Sequence, residues 1–443
     1  MRLNWLLCLK PITCQKIYCL KTVLLIGAGK SATLLINYLL KEAELNHWKF
    51  IVADADKAQA LAKTNNSRFA EVVQLDITNE KQREKIIQRA HVVISMMPPA
   101  LHFLVAKDCV EYRKHLLTAS YLDDNMRSLK DEIHQRKLLF LCEMGLDPGI
   151  DHMSAMKIIN TIKEAGGIIH SFKSHCGGLI APESDTNPWH YKISWNPRNV
   201  VLAGSAGAEF KLNGELQKLD YERLFDNADT VQVDGLDPLA FYPNRDSLSY
   251  IPVYKIPEAK TFVRTTLRYP AFFSGWNAIV NAGLTNDKEE FNVTGLTFAE
   301  WSAPLLAFVN ETNEPLLAYL GLFDDVPVPA TAKTSADILQ YLLETKLAML
   351  PTDKDMIVML HEFTYELNGE QKSLQSSLVV KGEDGLQTAM AKTVGLPLGI
   401  AAKLLLNGDL KLTGLFIPTI KQIYEPVLKE LETQGISFVE KLS

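Results

Sequence analysis

A short polar stretch in the first half of the chain holds several groups that could do chemistry. Residues 143–152 (EMGLDPGIDH) carry three carboxylates, a histidine, two glycines and a proline, directly after the apolar run 138–141. In open α/β sheets, ligands bind at the carboxyl ends of the strands, so these residues are candidates for a site. Pro148 and Gly149 alone would also explain a tight bend. The stretch by itself leaves both interpretations open.

A glycine-rich turn near the start of the chain points to a nucleotide. The pattern Gly27-x-Gly29-x-x-Ala32 follows the apolar run 22–26 and precedes a helical pattern. The first glycine permits a tight turn, and the second lets the backbone approach a pyrophosphate that the helix N-terminus stabilises. In this context the pattern predicts a dinucleotide site; a purely structural turn is the alternative.

Asp54 ends the next apolar run and bears on the choice of cofactor. A carboxylate at this position accepts the adenosine ribose hydroxyls and repels a 2′-phosphate. The next residues are Ala55 and Asp56, so no basic side chain follows directly. The sequence therefore favours NAD over NADP. A solvated acid at a strand end, with Asp56 equally placed, is the alternative.

The elements that would position these residues alternate regularly. Expected strands cover residues 22–26, 50–53, 72–76, 91–95, 115–119 and 138–141, with helical patterns between them. This rhythm is typical of a doubly wound parallel sheet, the Rossmann-type α/β class. Met97, Ser120 and Tyr121 follow two of these strands and would meet at the carboxyl edge of the sheet.

The pattern changes after residue 152. Extended stretches are expected at 168–174, 192–195, 231–233 and 250–254, followed by a mostly helical region over 272–350. Two further strands, 356–365 and 373–380, are joined through Asn368-Gly369, a strong hairpin signal. The last helices, from Gln387, could pack back on the first domain. The expected fold class is thus a Rossmann-type sheet, a second α/β domain with a mixed sheet, and a small helical domain.

Composition limits the classes of partner. The chain has 443 residues and a net charge of -6, without a basic block, which argues against nucleic acid. Six cysteines without a C-x-x-C pair argue against a disulfide framework and a zinc site, so a reducing, cytoplasmic setting is expected. His152, His170 and His175 lack a matching fourth ligand, so no metal is predicted.

Neither of the two most anchor-like segments, residues 1–20 and 389–406, is expected to anchor the protein in a membrane. The most apolar run, 389–406, is interrupted by Lys392, Pro397 and Lys403. Residues 1–20 contain a short apolar run without a small-residue cleavage site. They are interpreted as a disordered extension or the product of an upstream start codon, and not as an export signal.

Several motifs together resemble the saccharopine reductase family, also called glutamate-forming saccharopine dehydrogenase. They are the glycine turn 27–32, TASY at 118–121, the stretch 143–152, CGGL at 176–179, APE at 181–183, DTNP at 185–188, YKISW at 191–195, YPNRDS at 242–247 and TLRY at 266–269. The resemblance runs from about residue 21 to the C-terminus. Only the N-terminal extension lies outside it.

The resemblance implies a three-domain, homodimeric enzyme. Its division of this chain would be an extension at 1–20; a dinucleotide-binding domain at 21–145, completed by 387–443; a central substrate-binding and dimerisation domain at 146–270 with 351–386; and a helical domain at 271–350. The implied reaction oxidises saccharopine with NAD(P) and water to L-glutamate and 2-aminoadipate 6-semialdehyde, or runs in reverse, in lysine metabolism.

The resemblance also implies site residues, position by position. The residues that match its substrate contacts are Ser120, Tyr121, Asp147, Arg245, Thr266, Leu267 and Arg268. The residues that match its cofactor contacts are Gly27, Gly29, Lys30, Ser31, Ala32, Asp54, Asp76, Ile77, Met97, Leu146, Pro148 and Gly149. The fungal NADP enzymes carry a basic residue where this chain has Ala55, which agrees with the argument from Asp54.

The implied chemistry narrows the roles. Hydride leaves a carbon bonded to a secondary amine, water adds, and the product collapses, so a proton-transfer group with a pKa near neutrality is wanted. Asp147, Tyr121 and Cys176 are the candidates, although Asp147 is preferred as a ligand of the substrate ammonium and Cys176 could be a plain buried thiol. Arg245 and Arg268 offer planar forks for carboxylates. Ordinary surface salt bridges are the alternative for both.

Two other functions stay open. A related reductive aminase acting on polyamine-type imines, similar to carboxynorspermidine dehydrogenase, would want acidic residues in place of Arg245 and Arg268. A non-catalytic NAD-binding regulator would bind NADH and turn over no amine.

Overall fold

The structure, a computed structural model, describes residues 20–442. The expectation for residues 1–20 therefore falls almost entirely outside the described part of the chain. The strands are β1 (Thr22–Ile26), β2 (Lys49–Asp54), β3 (Ala70–Gln74), β4 (Val92–Ser95), β5 (His115–Thr118), β6 (Leu139–Leu141), β7 (Ile168–Ile180), β8 (Ala208–Leu212), β9 (Glu215–Leu219), β10 (Thr230–Val231), β11 (Leu239–Pro243), β12 (Arg245–Asp246), β13 (Thr261–Arg268), β14 (Asp355–Leu367), β15 (Glu370–Lys381), β16 (Gly414–Phe416) and β17 (Val439–Leu442).

The helices follow the same chain order. They are α1 (Thr33–Asn46), α2 (Lys57–Lys63), α3 (Glu80–Ile87), α4 (Pro99–Glu111), α5 (Asp124–Ser128), α6 (Lys130–Gln135), α7 (Ile150–Glu164), α8 (Pro197–Val201), α9 (Tyr250–Tyr254), α10 (Pro270–Asn281), α11 (Phe298–Trp301), α12 (Glu314–Leu320), α13 (Ser335–Lys346), α14 (Ala389–Asn407) and α15 (Lys421–Thr433). The predominantly helical character expected of 272–350 is present in α10 to α13.

The first sheet is parallel throughout and has the order β16-β6-β5-β4-β1-β2-β3. The apolar run of β1 is buried on both faces. Val23 and Leu25 pack in the cluster that contains the buried side of α1, whereas Leu24 and Ile26 pack with Val105 of α4. Because helices cover both faces, the strands read as continuous apolar runs. The doubly wound prediction is confirmed.

The second sheet is mixed and has ten strands, with the path β10-β11-β13-β7-β14-β15-β17. The predicted hairpin is confirmed, since β14 and β15 pair antiparallel on either side of Asn368-Gly369, both of which have positive φ. The strand predicted to stop at 174 continues to Ile180. Its glycines permit close packing and not a turn, because a Cβ at Gly177 would lie 2.7 Å from the Leu267 side chain.

Two predicted extended segments do not form strands: residues 192–195 contribute only an isolated bridge between Ile193 and Ala348, and residues 250–254 are helical. Residues 250–254 form the short helix α9, because Tyr250 and Tyr254 lie one helical turn apart and are both buried. Both rings pack against His152, with centroids 5.0 and 5.8 Å away. This tertiary packing overrides the preference of aromatic and β-branched residues for strands.

The C-terminal segment joins the two sheets. Strand β16 extends the first sheet beside β6, while β17 pairs with β15 in the second. The last strand, β17, therefore belongs to the second sheet, although residues 387–443 were all assigned to the first domain. The other domain limits stay a prediction. Helix α14 is long and apolar enough to cross a membrane, but 72% of its most apolar window is buried inside the protein, as in a core helix.

Candidate functional site

The glycine turn lies between β1 and α1, and its tip at Gly29 and Lys30 faces solvent. Gly27 has φ +100°, and a Cβ there would lie 3.1 Å from the Met96 carbonyl oxygen, so a larger residue would be strained. No side chain caps the N-terminus of α1. Free backbone N–H groups at a helix start suit an anion such as a pyrophosphate.

A cleft of about 330 Å³ opens beside this turn, at the carboxyl ends of β1, β2 and β3. Four predicted cofactor residues line it together: Asp54, Asp76, Ile77 and Met97. The Asp54 carboxylate accepts hydrogen bonds from the backbone N–H groups of Ala28 (2.6 Å) and Asp56 (2.8 Å). The open turn and the adjoining cleft fit a dinucleotide.

The stretch 143–152 forms a tight turn that leads into α7. The Gly145 N–H donates to the Pro148 carbonyl at 3.0 Å, and the Ile150 N–H donates to the Gly145 carbonyl at 2.9 Å. Gly149 has φ +149°, and a Cβ there would lie 2.0 Å from the Gly145 carbonyl oxygen. The turn therefore requires glycine, and it places Asp147 and Asp151 beside the same partner, Arg264.

Arg264 is the residue that the sequence argument missed. It lies in β13 with 1% of its surface exposed, and its guanidinium pairs with Asp147 and, at 2.9 Å, with Asp151. The Tyr121 hydroxyl donates to Asp147 at 3.3 Å. The available signal was an arginine that alternates with Thr266 and Arg268 along one side of the strand TFVRTTLR.

A second set of buried polar side chains, centred on His152 and Glu143, lies next to the group of Asp147, Asp151 and Arg264. His152 is fully buried; its Nε2 lies 2.8 Å from a Glu143 carboxylate oxygen and its Nδ1 lies 2.6 Å from the Tyr254 hydroxyl. Tyr250 donates to Glu143 at 3.1 Å. Burial alone would raise the pKa of Glu143, but His152 and the N–H of Leu122 outweigh it and hold the pKa below its usual value.

Burial raises the pKa of all three candidates for proton transfer, but the consequence at neutral pH differs. Burial raises the pKa of the Tyr121 hydroxyl and that of the Cys176 thiol, so both keep their protons at neutral pH. Burial also raises the pKa of Asp147, while Arg264 opposes the shift. Only the Asp147 shift brings a group closer to neutrality, so Asp147 is the best placed of the three to exchange a proton.

The predicted substrate residues of β13 divide between two faces of the sheet. Thr266 and Arg268 alternate with Leu267 and share the side of Arg264. The Leu267 side chain is fully buried in the opposite cluster, with Leu179 and Met356 among its members. Leu267 could therefore meet a ligand only through its backbone.

The two predicted arginines have different surroundings. Arg268 is buried; its Nη1 donates to the Leu267 carbonyl at 2.8 Å and its guanidinium carbon lies 5.1 Å from the centre of the Tyr191 ring. Arg245 is exposed, has φ +53° and lies 5.4 Å from the centre of the Tyr121 ring. Arg245 and Asp147 thus both approach Tyr121.

Ser120 has a partner that the sequence argument did not name. The Nε2 of His102 lies 2.7 Å from the Ser120 hydroxyl, and its Nδ1 lies 2.8 Å from the Ser95 hydroxyl. Burial lowers the pKa of His102 to about 4, so the ring is neutral at pH 7. A neutral imidazole with both nitrogens engaged fixes the orientation of Ser120 at the sheet edge.

His152, His170 and His175, for which no metal is predicted, have separate partners. His152 contacts Glu143, His170 lies 3.8 Å from Glu366, and His175 lies 3.3 Å from Glu362. Within residues 20–442, no group of three or more His, Cys, Asp or Glu side chains could hold a metal ion.

Two family models cover most of the chain. Residues 23–141 match the saccharopine dehydrogenase NADP binding domain, and residues 145–436 match the saccharopine dehydrogenase C-terminal domain. The chain belongs to the saccharopine dehydrogenase family. The resemblance drawn from its motifs is confirmed, and its first domain is of the NADP-binding type by that description.

Whole-chain relatives agree. The Saccharomyces cerevisiae saccharopine dehydrogenase [NADP(+), L-glutamate-forming] is 34% identical over 95% of this chain and 99% of its own length. The alpha-aminoadipic semialdehyde synthase of Mus musculus is 34% identical over 94% of this chain and 47% of its own length. The chain thus spans about half the length of the synthases it matches.

A solved structure extends the comparison to the fold. The apo saccharopine dehydrogenase (L-Glu forming) from Saccharomyces cerevisiae superposes with a TM-score of 0.85 at 33% identity, covering 96% of this chain and all of that one. The overall architecture of the two proteins is therefore the same.

Proposed function

We propose that this protein is an oxidoreductase acting on the CH–NH group of saccharopine. It interconverts saccharopine, NAD(P)⁺ and water with L-glutamate, 2-aminoadipate 6-semialdehyde and NAD(P)H, in lysine metabolism. The observation that carries the proposal is the contact of Asp147 with Tyr121 and Arg264 beside the 145–149 turn. The chain that contains this contact aligns with 99% of the length of the fungal glutamate-forming relative.

The charges of this contact suit an amine with carboxylates around it. Asp147 and Asp151 bring two negative charges against the single positive charge of Arg264. The surplus negative charge attracts the substrate ammonium, and Asp147 takes its proton so that the nitrogen lone pair is free. A dinucleotide held by the 27–32 turn and the cleft at Asp54 and Met97 would supply the hydride acceptor. Arg268 and Arg245 bind substrate carboxylates, and Ser120 and Thr266 supply hydroxyls.

The preference between the two nicotinamide cofactors is a finer part of the proposal. The carboxylate of Asp54, with Ala55 after it, favours NAD. The fungal relatives are named for NADP, and the matching domain description also specifies NADP. The NAD preference has no support among them, so we take either dinucleotide as a substrate and NADP as the better supported one.

The direct test is the absorbance of the reduced nicotinamide with saccharopine and each oxidised cofactor in turn. Reduction of either cofactor, with glutamate as a product, is the expected result. No reduction with saccharopine, or reduction only with a polyamine-type substrate such as carboxynorspermidine, would reject the proposal.

The substrate role of Arg268 has its own measurement. Arg268→Met removes a buried guanidinium and should raise the saccharopine KM at least about tenfold, since a charge-assisted hydrogen bond contributes ~1.5–3 kcal/mol. The cofactor KM should change little. Arg223→Met, at a side chain that is 72% exposed, is the control and should change neither. Equal effects on both KM values would reject the role.

The assembly and location complete the proposal. We propose a homodimer formed through the central domain, where Val379 of β15 is 40% exposed and the edge strand β17 exposes Leu442. Light scattering that gives the mass of one chain would reject it.

A reducing, cytoplasmic setting is consistent with Cys109, Cys142 and Cys176 as buried free thiols, and cell fractionation tests it.

A further inference from the structure

One face of helix α2 lies directly on the glycine turn. The Gln59 side-chain amide donates to the Ala28 carbonyl at 2.7 Å, and the Lys63 ammonium donates to the Gly29 carbonyl at 2.5 Å. Residues four apart on a helix share a face, so one side of α2 supplies both donors. A lysine that follows the second strand at a distance of nine residues thereby reaches the turn that would hold the pyrophosphate.

Asp54, the acid at the end of β2, already accepts hydrogen bonds from the protein backbone. Its two carboxylate oxygens accept from the backbone N–H groups of Ala28 and Asp56. Lys63 is close enough for Asp54 to act on it: burial lowers the pKa of the lysine to about 8, and the charge of Asp54 partly offsets this. At neutral pH the ammonium therefore keeps its charge and offsets the repulsion that Asp54 exerts on an anion.

We propose that Lys63 is the cation that receives the 2′-phosphate of NADP, acting from α2 in place of a basic residue directly after β2. The proposal rests on the dinucleotide site of the proposed function. Ala55 is exposed at the cleft and leaves space next to Asp54. The ammonium has three donors, of which Gly29 takes one, so the others can bind phosphate oxygens.

A competing explanation is that Lys63 only holds the turn in place. In that case its removal would loosen the turn and weaken both dinucleotides to the same extent. A phosphate ligand would instead affect NADP alone, because the two cofactors differ only in the 2′-phosphate. The ratio of the two dissociation constants therefore separates the explanations.

The experiment measures the dissociation constants of NADPH and NADH by fluorescence titration of the full-length protein. In Lys63→Met, the NADPH constant should rise about tenfold or more, as expected for the loss of a charge-assisted hydrogen bond, while the NADH constant rises by less than about threefold. Lys63→Arg keeps the charge and should keep most of the NADPH affinity. An equal rise for both cofactors in Lys63→Met would overturn the proposal.

Two control variants isolate the charge. Gln59→Met removes the neighbouring neutral donor to the same turn and should weaken both cofactors equally. Lys41→Met removes an exposed lysine of α1, away from the turn, and should leave both constants unchanged. If Lys41→Met lowers NADPH affinity as much as Lys63→Met does, the effect is one of net charge and the proposal fails.

The phosphate itself can be tested without turnover. Calorimetry with 2′,5′-ADP and with ADP should show tighter binding of 2′,5′-ADP to the unmodified protein, and this advantage should be lost in Lys63→Met. Equal binding of the two nucleotides to the unmodified protein would overturn the proposal. Because no saccharopine is present, this outcome is distinct from a failure of the proposed reaction.

Discussion

The single residue that most affects the charge balance of the site is Arg264. It is the shared partner of Asp147 and Asp151, and its guanidinium carbon lies 4.7 Å from the centre of the Tyr250 ring. Buried ion pairs add little net stability when intact, but breaking one leaves an uncompensated charge in a low-dielectric interior. Arg264 therefore matters both for folding and for the ionisation of Asp147.

Replacing Arg264 tests this directly. Arg264→Met should lower the free energy of unfolding by ~3–5 kcal/mol, because two carboxylates stay buried without their cation. Urea unfolding at pH 7 measures the change. Arg223→Met, which removes a largely exposed pair with Asp226, should cost less than about 1 kcal/mol. Similar costs for the two variants would contradict the buried-pair argument.

Buried histidines predict how stability depends on pH. Burial lowers the pKa of His102 to about 4 and that of His361 to about 3, below the value of ~6.5 for an unfolded histidine. At a pH between the folded and the unfolded pKa, these histidines bind protons in the unfolded chain but not in the folded one. The free energy of unfolding therefore falls as the pH drops from about 6.5 toward 4. His102 alone contributes about 3 kcal/mol to this loss, at ~1.4 kcal/mol per pKa unit.

The variant His361→Phe isolates one of the two groups. Its ring would stay among Phe172, Phe363 and Phe438, which surround His361 now. The melting temperature of the variant should fall less between pH 7 and pH 5 than that of the unmodified protein. An identical fall would show that His361 titrates normally in the folded state.

The 145–149 turn and α7 are the elements that assemble the site. The turn brings Asp147 to Tyr121, and the first turn of α7 supplies Asp151 and His152. The Asp151 side chain also accepts a hydrogen bond from the Gly149 N–H at 2.5 Å, which ties the helix start to the turn. The geometry of the acidic pair thus depends on one backbone conformation.

A glycine replacement in this turn should be far more damaging than one elsewhere. In Gly149→Ala the Cβ would lie 2.0 Å from a backbone oxygen, so the turn must open and the protein should lose several kcal/mol of stability together with its activity. Gly166→Ala, also at positive φ but with no atom within 4 Å of the new Cβ, should cost about 1 kcal/mol. Urea midpoints and saccharopine oxidation rates measure both. Comparable losses in the two variants would contradict the requirement.

The C-terminal segment holds the whole molecule together. Strand β16 pairs with β6, α15 packs its buried face on the core that contains α7, and β17 pairs with β15. One continuous piece of chain therefore contacts both sheets. The stability of the first domain should depend on residues far from it in sequence.

Truncation separates the contributions of these last elements. Deleting residues 421–443 removes α15, whose buried apolar residues include Ile423, Val427 and Leu431. At ~1.5–3 kcal/mol for each buried side chain, the loss approaches the entire stability of a domain, and the protein should aggregate. Deleting 439–443 removes only β17, which is exposed along its length, and should leave a soluble protein. Circular dichroism and solubility decide; a folded 1–420 fragment would contradict the argument.

The sequence determined much of this protein because the relevant signals are local. The apolar runs, the Gly27-x-Gly29 turn and the Asn368-Gly369 hairpin each depend on neighbouring residues, and the family motifs are contiguous. The tertiary structure alone decided the pairing of Arg264 with Asp147, the reach of Lys63 to the glycine turn and the helical state of 250–254. Each of these depends on residues distant in sequence, whose contacts are set by packing and burial and not by local pattern.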